Sequence, residues 1–513
     1  MAHDMIIVGA GIAGLSTGYY AQLNGFRSVI FEMHSIPGGL CTAFTRKGYT
    51  FDLSMHMLVG SRYGALNRMW RELGVVDGQQ RLHYPTEAGR VEGLDKSLTL
   101  YTDPRRLLDQ LIDLSPADAE RSRRLVRLVS GPGMMGSMSL KAPELWGLWD
   151  TAKMAWGMVP HIGNMLRYGG KTFQDLVAEF KDPFLRDALR FMVDSPPWPM
   201  PRFPMMAALG MWHSAVADAG VPLGGSYKAV SRIADRYEER GGEIRFRQRV
   251  KDVIVEDERA VGVCLEDGTE HRAETVVWAA DGHALIFDMF GGRYVDDQIK
   301  KMYETWSVVE SLVHVSLGVA RDLSDEPPRL VFELEEPIEI AGRTRRWLGV
   351  MNRCFDPSMA PAGKSAVEVW YPTPFEHWRG LHADRARYKE EKKRISDATI
   401  AELDKRWPGI ASDVEVVDVA TPMTYVRYTG NWQGSPDGWY LSPENITAMT
   451  PLRRLPGLSK LHMVGQWTCP FAGTVMSALA GRQLVELLCR DGKKSFVTST
   501  TRTGARPSAS TRT

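Results

Sequence analysis

The N-terminal segment constrains the fold more than any other part of the chain. A short apolar run, Met5–Val8, is typical of a buried parallel strand, and the glycine motif Gly9–Gly14 follows it at once. A helical pattern then covers residues 15–24, and a second apolar strand, Ser28–Phe31, ends at Glu32. This order of strand, glycines, helix, strand and acid predicts a Rossmann-type βαβ unit that binds a dinucleotide.

Each type of residue in this motif has a structural role in binding a dinucleotide. Gly9 permits a tight turn, Gly11 lets the backbone approach a pyrophosphate, and Gly14 lets the helix pack closely on the strand. The N-terminus of the helix offers N–H groups and a positive dipole end to the phosphates. Glu32 stands where a carboxylate accepts hydrogen bonds from ribose hydroxyls, and its charge disfavours a 2′-phosphate.

Composition narrows the class of protein. The 513 residues carry a formal net charge of +1, which gives no global field for nucleic acid, and we expect no such partner. The five cysteines are scattered without a CxxC pair, so we expect neither disulfides nor a metal site, and a reducing compartment fits. The N-terminus lacks a signal-peptide pattern, and no run of about 18 apolar residues exists. We therefore expect a cytoplasmic protein that lies on the membrane surface if it meets a membrane.

The residues after the βαβ unit carry a more specific pattern. Pro37–Leu40 (PGGL) is followed by Arg46 and by Gly48–Asp52. This pattern resembles the FAD fingerprint of glutathione-reductase-like flavoproteins, and in particular the phytoene desaturase, carotenoid isomerase and retinol saturase group. The resemblance implies that the dinucleotide is FAD and that the following segment reaches the flavin ring. The group usually continues with FDxG-x-H; here Ser54 replaces the glycine, and His56 fits the pattern.

Two later segments resemble the remaining parts of the same FAD-binding fold. Over residues 221–290, a helix, a hairpin and "VVWAAD" match the part in which the residue at Val250 presents its backbone to the adenine. The strand end at Asp281 then lies near the cofactor. Over residues 451–492, a strand ending in "VGQ", where the group commonly has aspartate, precedes a helix whose N-terminus faces the flavin pyrimidine ring.

The predicted fold is therefore α/β, with a Rossmann-type FAD-binding domain interleaved with a mixed α+β substrate domain. The predicted segments are 1–75, 221–290 and 451–492 for the FAD-binding domain, 76–220 and 291–450 for the substrate domain, and 493–513 for a disordered tail. The predicted cofactor-binding residues are Gly9, Gly11, Ile12, Ala13, Gly14, Glu32, Gly38, Gly39, Leu40, Arg46, His56, Val250, Asp281, Gly465, Gln466, Gly473, Thr474 and Val475.

The substrate domain opens with amphipathic helical spacing over residues 64–130, followed by a stretch, 131–211, that is rich in methionine and tryptophan. Methionine adapts to irregular apolar surfaces, and tryptophan favours boundaries between apolar phases and water. We interpret 131–211 as a tunnel for a lipid or polyene whose mouth rests on a membrane surface. Core packing of a helical domain is the alternative.

Catalytic candidates come from two places. The turn-rich segment 421–434 resembles the part of the group that approaches the flavin from the substrate side, which makes Arg427, Tyr428 and Trp432 candidate ligand contacts. His56, Arg427 and Trp432 are the predicted catalytic residues. Cys469 has no paired cysteine or activating histidine in the sequence, so we interpret it as a packed thiol.

The leading hypothesis is hydride transfer between a C–C unit of an apolar isoprenoid or polyene and flavin N5, as desaturation or saturation. The sequence has one dinucleotide motif, which FAD is expected to occupy, so no separate NAD(P)H domain is predicted. Oxygen, a quinone and NAD(P) are all candidate electron acceptors. A non-redox flavin-dependent isomerase of the carotenoid type, an amine oxidase and a flavin-bearing lipid carrier without turnover are the alternatives.

Overall fold

The computed structural model describes residues 3–54, 57–78, 80–131, 138–448, 450–471 and 473–499. Two sheets organise this part of the chain. The strands, in chain order, are β1 (His3–Val8), β2 (Ser28–Phe31), β3 (Ala43–Arg46), β4 (Tyr49–Asp52), β5 (Leu82–His83), β6 (Glu87–Glu92), β7 (Ser97–Tyr101), β8 (Val221–Pro222), β9 (Glu243–Arg245), β10 (Val250–Glu256), β11 (Arg259–Leu265), β12 (Glu270–Trp278), β13 (Leu312–Val319), β14 (Arg329–Ile340), β15 (Arg343–Asn352), β16 (Ser365–Pro372), β17 (Val414–Ala420) and β18 (Leu461–Met463).

Helices pack on one face of the first sheet, strands β10 and β11 with the segment 284–303 cover the other, and a separate helical layer lies between residues 104 and 217. The helices are α1 (Ile12–Leu23), α2 (Gly64–Leu73), α3 (Pro104–Leu114), α4 (Ala119–Val129), α5 (Leu148–Met158), α6 (Ile162–Tyr168), α7 (Phe173–Val177), α8 (Pro183–Arg190), α9 (Met205–Ala217), α10 (Gly225–Glu238), α11 (Asp297–Thr305), α12 (Phe375–His382), α13 (Arg385–Arg406), α14 (Ile410–Asp413), α15 (Pro422–Thr429) and α16 (Thr474–Asp491).

The first sheet draws its parallel strands from three separated parts of the chain. Its parallel core has the order β9-β2-β1-β12-β18, and the first half of β12 also pairs antiparallel with β11, which pairs with β10. The register places Ile7 opposite both Ile30 and Val277. The last four residues of β1 and all of β2 are buried, because both faces of this parallel sheet are covered, one by helices and the other mainly by β10 and β11. The predicted α/β class with an interleaved Rossmann-type domain is confirmed.

Helix α1 lies between α10 and α16 and is buried along almost its whole length. Small residues make this packing close: a Cβ on Gly481 of α16 would lie 2.7 Å from the Ala13 carbonyl oxygen, and one on Gly18 would lie 2.9 Å from the Tyr237 ring. The first helix of the predicted βαβ unit is therefore fixed in position by later parts of the chain.

The second sheet has the order β17-β13-β16-β15-β14-β6-β7 and is antiparallel except between β14 and β6. Every residue of the central strands β13 and β16 is buried, and α13 covers one side with Tyr388, Ile395 and Leu403. Strands β6 and β7 correct the helical prediction for 64–130. Their apolar residues, such as Val91 and Leu98, belong to paired strands and not to helices, and their side chains are buried in the helical core.

The methionine- and tryptophan-rich stretch divides into two unlike parts. Helices α7 to α9 are packed into the helical core. Helices α5 and α6 instead leave their apolar side chains in solvent, with Trp149 88% and Leu166 85% exposed. Among the described residues, no helix is long and apolar enough to cross a bilayer.

The first described residues of the predicted tail are ordered against α1, which corrects the tail boundary at 493. The Val497 N–H donates to the Asn24 side chain at 2.7 Å, and the Phe496 ring lies 5.9 Å from that of Tyr20. Residues 500–513 lie outside the described part of the chain.

Candidate functional site: a dinucleotide cleft

A cleft of about 380 Å³ lies at the carboxyl ends of β1, β2, β12 and β18, where ligands bind in open α/β sheets. Most of the predicted cofactor-binding residues line it. These are Gly9, Gly11, Ile12, Ala13, Glu32, Gly38, Gly39, Leu40, Val250, Asp281, Gly465, Gln466, Gly473 and Thr474.

Close backbone contacts hold the floor of the cleft together. A Cβ on Gly14 would lie 2.0 Å from the Gly9 carbonyl oxygen and 3.2 Å from the Ala279 Cβ, so only glycine fits there. Gly39 has a φ of +59°, and a Cβ on it would lie 3.3 Å from the Gly11 Cα. The PGGL turn therefore crosses directly over the start of α1, as dinucleotide-binding folds require.

Two helices point uncapped N-termini at the cleft. Helix α1 begins after Gly11 and α16 begins after Gly473, and neither N-cap residue has a side chain that could accept from the first N–H groups. Free N–H groups with a positive dipole end suit a pyrophosphate at one helix and the electron-rich edge of a flavin at the other. The donor set thus fits a flavin dinucleotide.

Glu32 has its carboxylate fixed at the edge of the cleft. One oxygen accepts from the Ala10 N–H at 2.7 Å and the other from the His34 N–H at 2.8 Å. Each oxygen keeps a lone pair that can accept from a ribose hydroxyl. This is the geometry that the position of Glu32 in the sequence predicts.

Three predicted cofactor contacts do not line the cleft. Gly14 lies beneath it and acts through packing. Arg46 lies on the exposed end of β3, where its guanidinium sits 5.2 Å from the centre of the Phe44 ring and lines a neighbouring cavity. Val475 packs against the core of the first domain, and Ser477, two residues further along α16 and so on another side of the helix, reaches the cleft.

Asp281, which lines the cleft, is joined to Trp432 by a hydrogen bond. The Asp281 carboxylate accepts from the Ala284 N–H at 2.7 Å and from the Trp432 N–H at 2.8 Å, and burial raises its pKa to about 6. The Trp432 indole stacks on His283 at 4.6 Å, within a cluster that contains Trp439 and Trp467. Trp432 is not among the residues that line the cleft or the neighbouring cavity, and its predicted contact with a ligand stays a prediction.

The other catalytic predictions fall elsewhere. Arg427 is exposed and lines the neighbouring cavity, not the cleft, while Tyr428 lines both. His56 lies outside the described residues. Cys469 is buried, and burial raises its pKa to about 11, which agrees with the interpretation as a packed thiol.

Sequence reasoning missed an acid in the cleft wall. Asp437 faces the start of α16, with one carboxylate oxygen 3.5 Å from the position of a Cβ on Gly473. Burial raises the pKa of Asp437 to about 7. In the sequence it lies in "SPDG", which indicates only a turn. Its carboxyl is therefore able to hold or accept a proton near neutral pH.

The side chain of Ser54 also reaches the cleft and replaces the glycine usual in the resembled group. Its hydroxyl lies 3.6 Å from the Cys41 sulfur, which lies 3.9 Å from the Thr474 hydroxyl. The backbone N–H of Ser54 donates to Asp52 at 3.0 Å. A small polar cluster therefore joins the end of β4 to the start of α16.

A buried polar network fixes β4 between the two sheets. The Asp52 carboxylate accepts from the Ser226 N–H at 2.7 Å, and the Asp52 N–H donates to Glu368 at 2.7 Å. Arg353 donates to Glu368 at 3.1 Å. Burial raises the pKa of Glu368 to about 7, although Arg353 opposes that rise. The FD pair of the sequence motif thus positions the cleft wall against the second domain.

Comparisons with known proteins agree with this geometry. Residues 7–73 match the family model described as an NAD(P)-binding Rossmann-like domain. The chain is 25% identical to prolycopene isomerase 1 from an Oncidium hybrid cultivar, over 93% of this chain and 82% of that protein. It is 24% identical to a neurosporene-forming phytoene desaturase from Rhodobacter capsulatus, over 95% of this chain and 94% of that protein. An engineered putrescine oxidase shares the fold, with a TM-score of 0.61, 13% identity, and coverage of 95% of this chain and 99% of the other.

The fold and the cleft define a Rossmann-type flavoprotein. The relatives match over more than nine-tenths of this chain and support an FAD-dependent oxidoreductase that is similar to phytoene desaturases and prolycopene isomerases. The resemblance stated for the sequence, the enzyme class and the cofactor FAD are confirmed.

Proposed function

We propose that this protein changes C–C bonds of an apolar isoprenoid or polyene by desaturation or saturation at the FAD cleft. The main support is that a largely apolar cavity adjoins the cleft. The two meet directly after β4, where Leu53 lines the cavity and the next residue, Ser54, lines the cleft. Such a space lets a C–C unit lie beside the cofactor. The relatives named for phytoene and prolycopene, both isoprenoid polyenes, support this substrate class.

The chemistry divides between the cofactor and the chain. Bound FAD supplies the two-electron acceptor or donor, held by the glycine floor, Glu32 and the starts of α1 and α16. Removing two hydrogens from a C–C unit also releases a proton. Asp437 can take up that proton, or return one in the opposite direction, since its pKa is raised to about 7. Apolar walls exclude water from the reacting carbons. Oxygen, a quinone or NAD(P) then exchanges electrons with the protein.

The test is anaerobic incubation of the FAD-loaded protein with phytoene, prolycopene and saturated or partly saturated analogues. We expect a product that differs from its substrate by two hydrogens, and Asp437→Asn to slow its formation by about 10²–10⁴-fold. An isomerised product of unchanged mass would favour the isomerase alternative. Peroxide formed with amines would favour an amine oxidase, and binding without flavin reduction would favour a carrier.

We also propose that α5 and α6 rest on a membrane surface. Between residues 148 and 166 lie most of the large apolar side chains that the described residues expose: Leu148, Trp149, Met154, Trp156, Val159, Ile162, Met165 and Leu166. Leu148 is 91% exposed and Trp156 79%, which is costly in water but favourable in a lipid interface.

Flotation with liposomes tests this docking. We expect the protein to float with vesicles of phosphatidylcholine and phosphatidylglycerol, and the double variant Trp149→Ser/Trp156→Ser to lose at least 10-fold in partitioning. The matched control is Tyr63→Ser/Leu94→Ser, which removes two exposed apolar side chains elsewhere. Equal partitioning of all three proteins would overturn the proposed surface.

A further inference from the structure

The cavity beside the cleft has a volume of about 430 Å³, which is the size of a small-ligand site. It lies between the segment after β2, the end of β17, the start of α13 and helix α15. It shares walls with the FAD cleft. The shared residues are Glu32, Gly39, Leu40, Tyr428 and Thr429.

The inner wall of this cavity is apolar. Val419 and Tyr425 are buried there, and Leu53, Phe44 and Met423 complete the surface. The wall therefore suits a hydrocarbon chain.

Four cationic side chains also line this cavity. Arg46, Arg385 and Arg427 are exposed, and Lys392 is half-buried on α13. None of these four side chains forms an ion pair with a carboxylate among the described residues. On the same helix, by contrast, Arg394 pairs with Glu391 and Arg406 with Glu92.

Two carboxylates also line the cavity, but among the described residues neither forms an ion pair with the four cations, which outnumber them. The Glu32 carboxylate accepts hydrogen bonds from backbone N–H groups at the edge of the cleft. Asp418 raises the pKa of Lys392, against the stronger lowering by burial, and Arg385 lowers it further. Cations gathered without partners repel one another, and an anion bound among them would relieve that repulsion.

We propose that this cavity binds an amphiphile whose isoprenoid chain lies along Leu53, Val419 and Tyr425 and whose anionic end meets the cations of the rim. A terminal carboxylate or diphosphate has the required chemistry, because guanidinium groups bind both. The inference rests on the proposed function for the isoprenoid chain of the ligand, but binding needs no turnover.

The test compares pairs of ligands that share a chain and differ in charge. Binding of retinoic acid and retinol, and of geranylgeranyl diphosphate and geranylgeraniol, is measured by titration calorimetry with the FAD-loaded protein under conditions without turnover. We expect at least one charged ligand to bind ten or more times tighter than its neutral partner, with an affinity that falls as salt rises. Preference for the carboxylate or for the diphosphate identifies the end group.

Variants of α13 locate the contact. Arg385→Gln/Lys392→Gln should weaken binding of the charged ligand at least 10-fold and leave the neutral ligand unchanged. The control Arg387→Gln/Lys389→Gln removes two exposed cations of the same helix that do not line the cavity, and should change neither. Equal affinity for charged and neutral ligands, or equal losses in both double variants, would overturn the inference. Product formation from a neutral polyene in that case leaves the proposed function standing.

Discussion

The FAD cleft and the adjoining cavity share walls but are built from different kinds of group. The cleft uses backbone: glycines that pack where a Cβ would collide, and two helix N-termini without side-chain caps. The cavity uses side chains on segments far apart in the chain, among them Arg46, Lys392 and Arg427. A backbone-built site leaves a motif in the sequence, because few residues satisfy it. A side-chain-built site leaves no local pattern.

The largest expected effect separates binding from folding within the cleft. A Cβ on Gly11 meets nothing closer than the Gly38 carbonyl oxygen at 4.0 Å, and its φ of −71° suits any residue. Gly11→Val should therefore fold, with a loss of about 1 kcal/mol or less at the helix N-cap. Its side chain enters the space of the pyrophosphate, so FAD affinity should fall at least 100-fold, measured by fluorescence titration.

Two further glycine variants serve as controls for the result with Gly11→Val. Gly14→Val should lose both FAD and stability, because its Cβ would lie 2.0 Å from the Gly9 oxygen. Gly380→Val on α12, where a Cβ meets nothing within 4 Å, should lose neither. Normal FAD binding by Gly11→Val would show that the cleft is not the cofactor site.

A smaller effect is expected at the edge of the cleft. Glu32→Gln replaces a carboxylate oxygen by an amide that cannot accept, so one of the two backbone N–H contacts and one ribose acceptor are lost. FAD affinity should fall about 10-fold, or about 1.4 kcal/mol. Glu336→Gln, at an exposed carboxylate that lines neither the cleft nor the cavity, is the matched control. Equal FAD affinities of the wild type and Glu32→Gln in calorimetry would show that Glu32 does not contact the cofactor.

The effect expected at Asp437 is of similar size at pH 8 and vanishes at low pH. Burial raises the pKa of Asp437 from an ordinary 3.8 to about 7, so the folded protein binds a proton that the unfolded chain releases across this window. The contribution of Asp437 to stability therefore falls as pH rises from about 4 to 7. In FAD-free protein, Asp437→Asn should raise the free energy of unfolding by about 1–3 kcal/mol at pH 8 and change it little at pH 4.

Urea unfolding at the two pH values measures this difference. Asp95→Asn, at an exposed carboxylate, should show no such dependence on pH. A constant difference between wild type and Asp437→Asn would mean that the carboxyl does not titrate in the cleft, and would remove it as the proton carrier.

The sequence could predict the part of the site that is built from backbone, but not the part that is built from side chains. Gly9, Gly11, Glu32 and the PGGL turn lie where the motif places them, because local backbone geometry and one short helix determine them. Asp437 gave no signal, since its role comes from contact with the start of α16 and from burial. Arg46 lies in the neighbouring cavity and Trp432 in an aromatic cluster, because residue type alone does not determine which way a side chain points.

The fold divides in the same way. Strands β1, β2 and β12 carry runs of apolar residues that predict them locally. Strands β6 and β7 are short and amphipathic, and only pairing with β14 decides that they are strands. Within the methionine- and tryptophan-rich stretch, composition could not separate the buried α7–α9 from the exposed α5 and α6, because burial is decided by neighbours.

A crystal structure of the FAD-loaded protein tests the central claim most directly. We expect density for one FAD along the cleft, with the adenosine beside Val250 and Glu32, the pyrophosphate at Gly11 and the flavin ring near Ser54 and Asp437. The apolar cavity should remain open beside it. FAD density in the cavity at Arg385 and Lys392, with the glycine floor empty, would contradict the account.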